Sequence, residues 1–247
     1  MAAALQTRGS TSAAYRAAFR AVGSLRRETA FVTFVLIVQL LLTARLGGPG
    51  NATGSLSNVL LDIAVTILLV PYTMAIYRHA LGLRSLSMWA LLGEAIRRKD
   101  LVAYHLGWYL LGIPWTRGVA YLPSGLGLLI LPAFFLVTIW LTCRLFPVGP
   151  ALAIEGLEIT ARDAFRATAG QVWTIVSIGF RAAAPLVAIA LLLAALIIAT
   201  NGRTAPPVIL GGTLILLFSV FGLVLRSVLE AQIFHALGLF SPGREVE

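Results

Sequence analysis

The chain has 247 residues and a net charge of +9, and it is 59% hydrophobic but only 12% charged. Soluble domains carry about 25% charged residues, so this composition excludes an ordinary water-soluble globular fold. The basic residues are scattered beside apolar stretches and form no basic groove, which predicts a membrane surface as their partner and no nucleic acid.

The chain opens on a basic segment, residues 1–29, carrying Arg8, Arg16, Arg20, Arg26 and Arg27. Six apolar windows follow: 30–46, 57–77, 101–122, 124–143, 182–200 and 208–225. Each runs about 17 to 22 residues, enough at 1.5 Å per residue to cross a hydrocarbon core of about 30 Å. The expectation is an all-α integral membrane protein: one six-helix domain over 30–240, built as three hairpins with short amphipathic cytoplasmic helices, and a tail at 241–247. The first window lacks a small-x-small cleavage pattern and reads as a retained helix, not a signal peptide. Asn51-Ala52-Thr53 reads as a polar turn.

Cytoplasmic loops retain Lys and Arg, so the six windows can be oriented by counting. With the amino terminus inside, sixteen basic residues are cytoplasmic and three, Arg45, Arg117 and Arg203, are outside. Both termini are therefore expected in the cytoplasm. Eighteen of the nineteen basic residues are arginine, a bias that suggests a GC-rich bacterial genome and hence a bacterial inner membrane.

Arg78, Arg144 and Arg226 each follow an apolar window, where a cation meets the negative end of a helix and reaches lipid phosphates. The string HALGL occurs at 79–83 and again at 235–239, with Gly82 and Gly238 placed for left-handed helix caps. Between windows two and three, SLSMWALLGEAIRRKD puts Leu86, Trp89, Leu92, Gly93 and Ile96 on one helical face, with Glu94, Arg97 and Arg98 away from it. After window four, Pro147 and Pro150 deny a helix its donors, so the chain must turn. Ala151, Leu152, Ala153 and Ile154 are then expected in the interface. Thr160 and Asp163 read as a capping box that starts a short helix bearing Arg162 and Arg166.

Arg144, then Pro150-Ala151-x-Ala153-x-Glu155-Gly156, then Ala164-Phe165-x-x-Thr168-x-Gly170-x-x-Trp173 resembles the central signature of a bacterial six-helix family. That family comprises the YciC-like inner-membrane proteins and the membrane domain found beside glycerophosphoryl diester phosphodiesterases. The resemblance covers about thirty residues and implies the same six-helix plan. It implies no catalytic residues, since in the phosphodiesterase relatives the chemistry belongs to a separate soluble barrel.

Chemistry inside the membrane would need convergent polar groups. Asp62 is the one acidic residue within a predicted window, with Arg45 and Arg117 as candidate partners, and these three form a possible polar membrane site. His79 and His235 share a side with Glu94 and Glu230, yet their spacing matches no metal-ligand motif. The single cysteine, Cys143, excludes an intramolecular disulfide. H-E-x-x-H, G-x-S-x-G and phosphate-binding glycine loops do not occur. The sequence thus predicts a noncatalytic scaffold, without cofactor or metal, that binds anionic lipid headgroups or another membrane protein. Trp89, Arg97, Arg98, Lys99, Arg144, Arg162 and Arg166 are its contact candidates. A small-molecule or ion transporter, with a polar site near the midplane, is the competing expectation.

Overall fold

A computed structural model describes residues 7–46, 56–116, 124–154, 157, 159–199 and 205–239. Those residues form ten helices and no strand: α1 (Thr7–Ser24), α2 (Arg26–Leu46), α3 (Leu56–Ala80), α4 (Met88–Arg97), α5 (Lys99–Thr116), α6 (Ser124–Leu145), α7 (Val148–Leu152), α8 (Ala161–Ala167), α9 (Val172–Ala199) and α10 (Ala205–Ala236). Within them Leu56–Ala80, Val172–Leu192 and Leu216–Ala236 are long and apolar enough to cross a membrane, and Pro132–Leu145 is a shorter apolar stretch. The glycine-rich connections at 47–55, 117–123 and 200–204, the family-like Glu155 and Gly156, and the tail at 241–247 lie outside the described residues.

Most of the helices run past the charges that bounded their windows, two of them by several turns. Helix α9 begins at Val172, ahead of Arg181, and α10 continues beyond Arg226 to Ala236. An arginine does not end a helix; backbone caps do. Gly82 and Gly238 take φ of 72° and 71°, as the HALGL pattern requires. After α3 the cap is a Schellman motif, in which Leu83 N–H donates to the Arg78 carbonyl (2.8 Å) and Gly82 N–H to that of His79 (3.2 Å).

The core lies around the second half of α3, where every residue from 70 to 77 is buried. Helices α2, α4, α5 and α10 pack against it. Thr29 of α2 and Tyr72 of α3 share a hydrogen bond of 2.8 Å between their hydroxyls. Away from this core the surface is apolar: Phe34, Leu41, Leu60, Leu136, Leu192 and Leu217 are each more than half exposed. So much uncovered apolar area fits an apolar solvent.

The basic segment ahead of the first window joins the core. Ala14, Ala18 and Ala21 form one buried stripe on α1, facing α9 and α10. Their spacing of four and three residues is the helical period, and small side chains let the backbones approach. Tyr15 Oη donates to the Ala182 carbonyl at 2.6 Å, and Arg16 and Arg20 point outward.

Candidate functional site

The basic segment of the α4–α5 junction and the proline-broken segment after α6, far apart in sequence, meet at one end of the bundle. Helix α4 starts at Ser87, whose hydroxyl accepts from Ala90 N–H (3.3 Å). It buries Leu91 and Ala95, leaving Trp89 and Ile96 82% and 68% exposed. The face that carries Trp89 and Ile96 is therefore largely the outward one, because Leu91 and Ala95, a turn apart, already fill the contact with α3 and α5. The helix stops at Arg97, Arg98 leaves helical geometry, and Lys99 starts α5.

This corner separates three adjacent cations into two roles. Arg98 Nη1 donates to the carbonyls of Leu152 (2.8 Å) and Ile154 (3.0 Å), while Nη2 pairs with Glu94 at 2.9 Å. It is a strap between the two segments. Arg97 and Lys99 are exposed instead. Beside them lies an open cleft of about 650 Å³, with a rim of Arg97, Lys99, Asp100 and Thr160 and apolar walls that include Leu152 and Leu157. Replacing Arg98 with glutamine should loosen the strap at a cost of about 1.5–3 kcal/mol, the worth of charge-assisted bonds to carbonyls. Hydrogen exchange should rise at residues 151–154 while α9 keeps its protection; unchanged exchange at 151–154 would refute this role.

Thr160 on the rim caps α8, and the predicted capping box is present. Thr160 Oγ1 accepts from Asp163 N–H (3.3 Å), and Thr160 N–H donates to Asp163 Oδ2 (3.1 Å). Hydrogen bonds from the Thr160 side chain and backbone, reinforced by Arg166 and Arg162, hold the Asp163 carboxyl below its ordinary range. Ala164 and Thr168 are fully buried, Phe165 is half-buried, and Arg162 and Arg166 face outward. Arg144 serves the fold: its Nη1 donates to the Phe165 carbonyl (2.7 Å), and its guanidinium lies 5.5 Å from both the Trp140 and Phe165 rings. It fixes α8 to α6.

The turn after α6 is itself helical: Val148, Gly149, Pro150 and Ala151 of α7 are buried, and α7 packs against α5 and α10. Small residues make that approach possible. A Cβ on Gly149 would fall 2.7 Å from Tyr77 Oη, 3.0 Å from Tyr104 Cε1 and 3.2 Å from Glu230 Oε2. These groups form a buried polar cluster that sequence reasoning missed. Tyr77 Oη donates to Glu230 Oε2, and Arg226 Nε donates to Glu230 Oε1 at 2.8 Å. The Arg226 guanidinium rests 5.7 Å above the Trp108 ring, and Tyr104 Oη donates to the Leu145 carbonyl at 3.3 Å. Glu230 is 1% exposed, whereas the Arg226 side chain keeps 46% of its surface. The cluster thus ties α3, α5, α7 and α10 together around one carboxylate. Glu230 N-terminal partner Arg226 is four residues away, a spacing visible in sequence; Tyr77 is not.

The other predicted polar site takes a different form. Asp62 Oδ1 accepts from Gln39 Nε2 at 2.8 Å and Oδ2 from Tyr109 Oη at 3.3 Å, which joins α2, α3 and α5. Arg45 is exposed near the end of α2, and Arg117 lies outside the described residues. Glu94 and Glu230 are engaged by Arg98 and by Tyr77 with Arg226, while His79 meets Ser24 Oγ at 3.3 Å. Among the described residues no three His, Cys, Asp or Glu side chains gather as for a metal ion. Comparison with models of protein families, with curated proteins and with solved structures gives no match.

Proposed function

We propose that the protein is a noncatalytic, multi-pass bacterial inner-membrane protein of the six-helix family whose signature it resembles, and that it organises membrane by holding anionic lipid at its inner face. The observation that carries this reading is the convergence of the α4–α5 corner and the residues before α8 on one basic cleft. In this reading α2, α3, α5, α6, α9 and α10 span the bilayer as three hairpins, with both termini in the cytoplasm. The arginine asymmetry then puts the cleft at cytoplasmic headgroup level. Trp89 and Trp173, 82% and 81% exposed, suit the same level as interfacial aromatics. The same exposed cations would also suit an acidic membrane partner.

A transporter reading has one observation in its favour, the buried carboxylate of Glu230 in a helix of spanning composition. Both its oxygens are bonded internally and Gly149 is packed against it, which supports a structural role. The test is gentle-detergent purification followed by an inventory of retained lipid and protein. Anionic lipid should be retained and should be depleted when Arg97, Lys99, Arg162 and Arg166 are changed to alanine. Equal retention of neutral and anionic lipid by the parent chain would overturn the lipid reading.

A further inference from the structure

A second cavity, of about 270 Å³, borders the same corner and is almost wholly apolar. Its walls are Ile67, Pro71, Leu92, Ala95, Ile96 and Val102, and its one charged residue is Lys99. Lys99 also lines the basic cleft, so it stands where the two cavities adjoin. On either side of it the chain alternates between them: Ile96 and Val102 face the groove, while Arg97 and Leu101 face the cleft. A lysine suits this place, because its four-carbon stem covers apolar surface while its ammonium reaches polar surroundings. Along α3 the groove runs from Pro71 to Ile67, one helical turn toward the middle of the helix, a rise of about 6 Å.

Charge narrows the occupant. Arg98 is neutralised by Glu94 and spent on two carbonyls, and Asp100 offsets one of the two remaining cations on the rim. Among the described residues that line the cleft, one net positive charge is left, the complement of a phosphodiester monoanion. We infer that cleft and groove are two halves of one site for a single anionic phospholipid, with its phosphodiester between Arg97 and Lys99 and one acyl chain against Leu92, Ile96 and Pro71. This deepens the lipid-binding reading above and rests on it. A lipid seated there bridges α3, α4 and α5 and abuts the Arg98 strap.

The test is native mass spectrometry of the full chain in neutral detergent, titrated with dioleoyl phosphatidylglycerol, dioleoyl phosphatidylcholine or soluble glycerol phosphate. Phosphatidylglycerol should saturate at one molecule per chain and bind more tightly than phosphatidylcholine. Changing Arg97 and Lys99 together to glutamine should weaken it about thirtyfold. Ile96→Asp, at a position 68% exposed, should weaken it by placing a charge in the groove. Glycerol phosphate, which lacks a chain, should not displace it. If phosphatidylglycerol binds in many copies, insensitive to these changes, the defined site is wrong while general anionic-lipid binding survives. If phosphatidylglycerol has no advantage over phosphatidylcholine, both readings fall. Displacement by glycerol phosphate would make this a free-phosphate site and overturn the acyl-chain half.

Discussion

Glu230→Ala should destabilise the protein by about 2–4 kcal/mol, read as the shift in thermal unfolding of the purified protein in detergent. The cost has two parts. Tyr77, 1% exposed, would lose the acceptor of its hydroxyl, and a buried donor without a partner costs about 1–3 kcal/mol. The rest is the cavity left by the removed carboxylate. Arg226 adds less, because its side chain keeps 46% of its surface and its seat on Trp108. Glu230→Gln keeps an oxygen for Tyr77 and should therefore cost less than alanine. Stability within about 0.5 kcal/mol of the parent for Glu230→Ala would show that the cluster does not hold the four helices together.

Gly149→Ala should cost about 1–3 kcal/mol through overpacking. The added methyl would meet Tyr77 Oη at 2.7 Å, and that hydroxyl cannot retreat, because the ring is buried and bonded to Glu230. The mechanism predicts non-additivity. Tyr77→Phe removes the clashing oxygen, so Gly149→Ala should cost markedly less in that background, a coupling measurable as a double-mutant cycle. Equal cost in both backgrounds would mean that the methyl clashes elsewhere or not at all.

Local features of this structure were legible in the sequence because their causes are local. Gly82 and Gly238 cap helices through their own backbone freedom, and Thr160 with Asp163 forms a box across three residues. The apolar windows were visible for the same reason, although charges misplaced several of their ends, furthest in α9 and α10. Arg226 was taken as the close of the last window, and this put Glu230 outside the core in which it is buried. Its partner Tyr77 lies 153 positions away, and no spacing rule reaches that far. The triplet Arg97-Arg98-Lys99 reads as three equivalent cations. Only the corner between α4 and α5 turns the middle one inward to the Leu152 and Ile154 carbonyls. One missed signal was readable: Ala14, Ala18 and Ala21 repeat at helical spacing within a segment judged by its arginines alone.

The alanine stripe of α1 also bears on biosynthesis. Its surface lies on α9 and α10, which the ribosome makes long after it. At about 5–20 residues per second, α1 waits about 10–40 s after its own synthesis before α10 is complete. A helix made early is thus seated late. A chain cut short before α10 would leave the stripe without part of its seat.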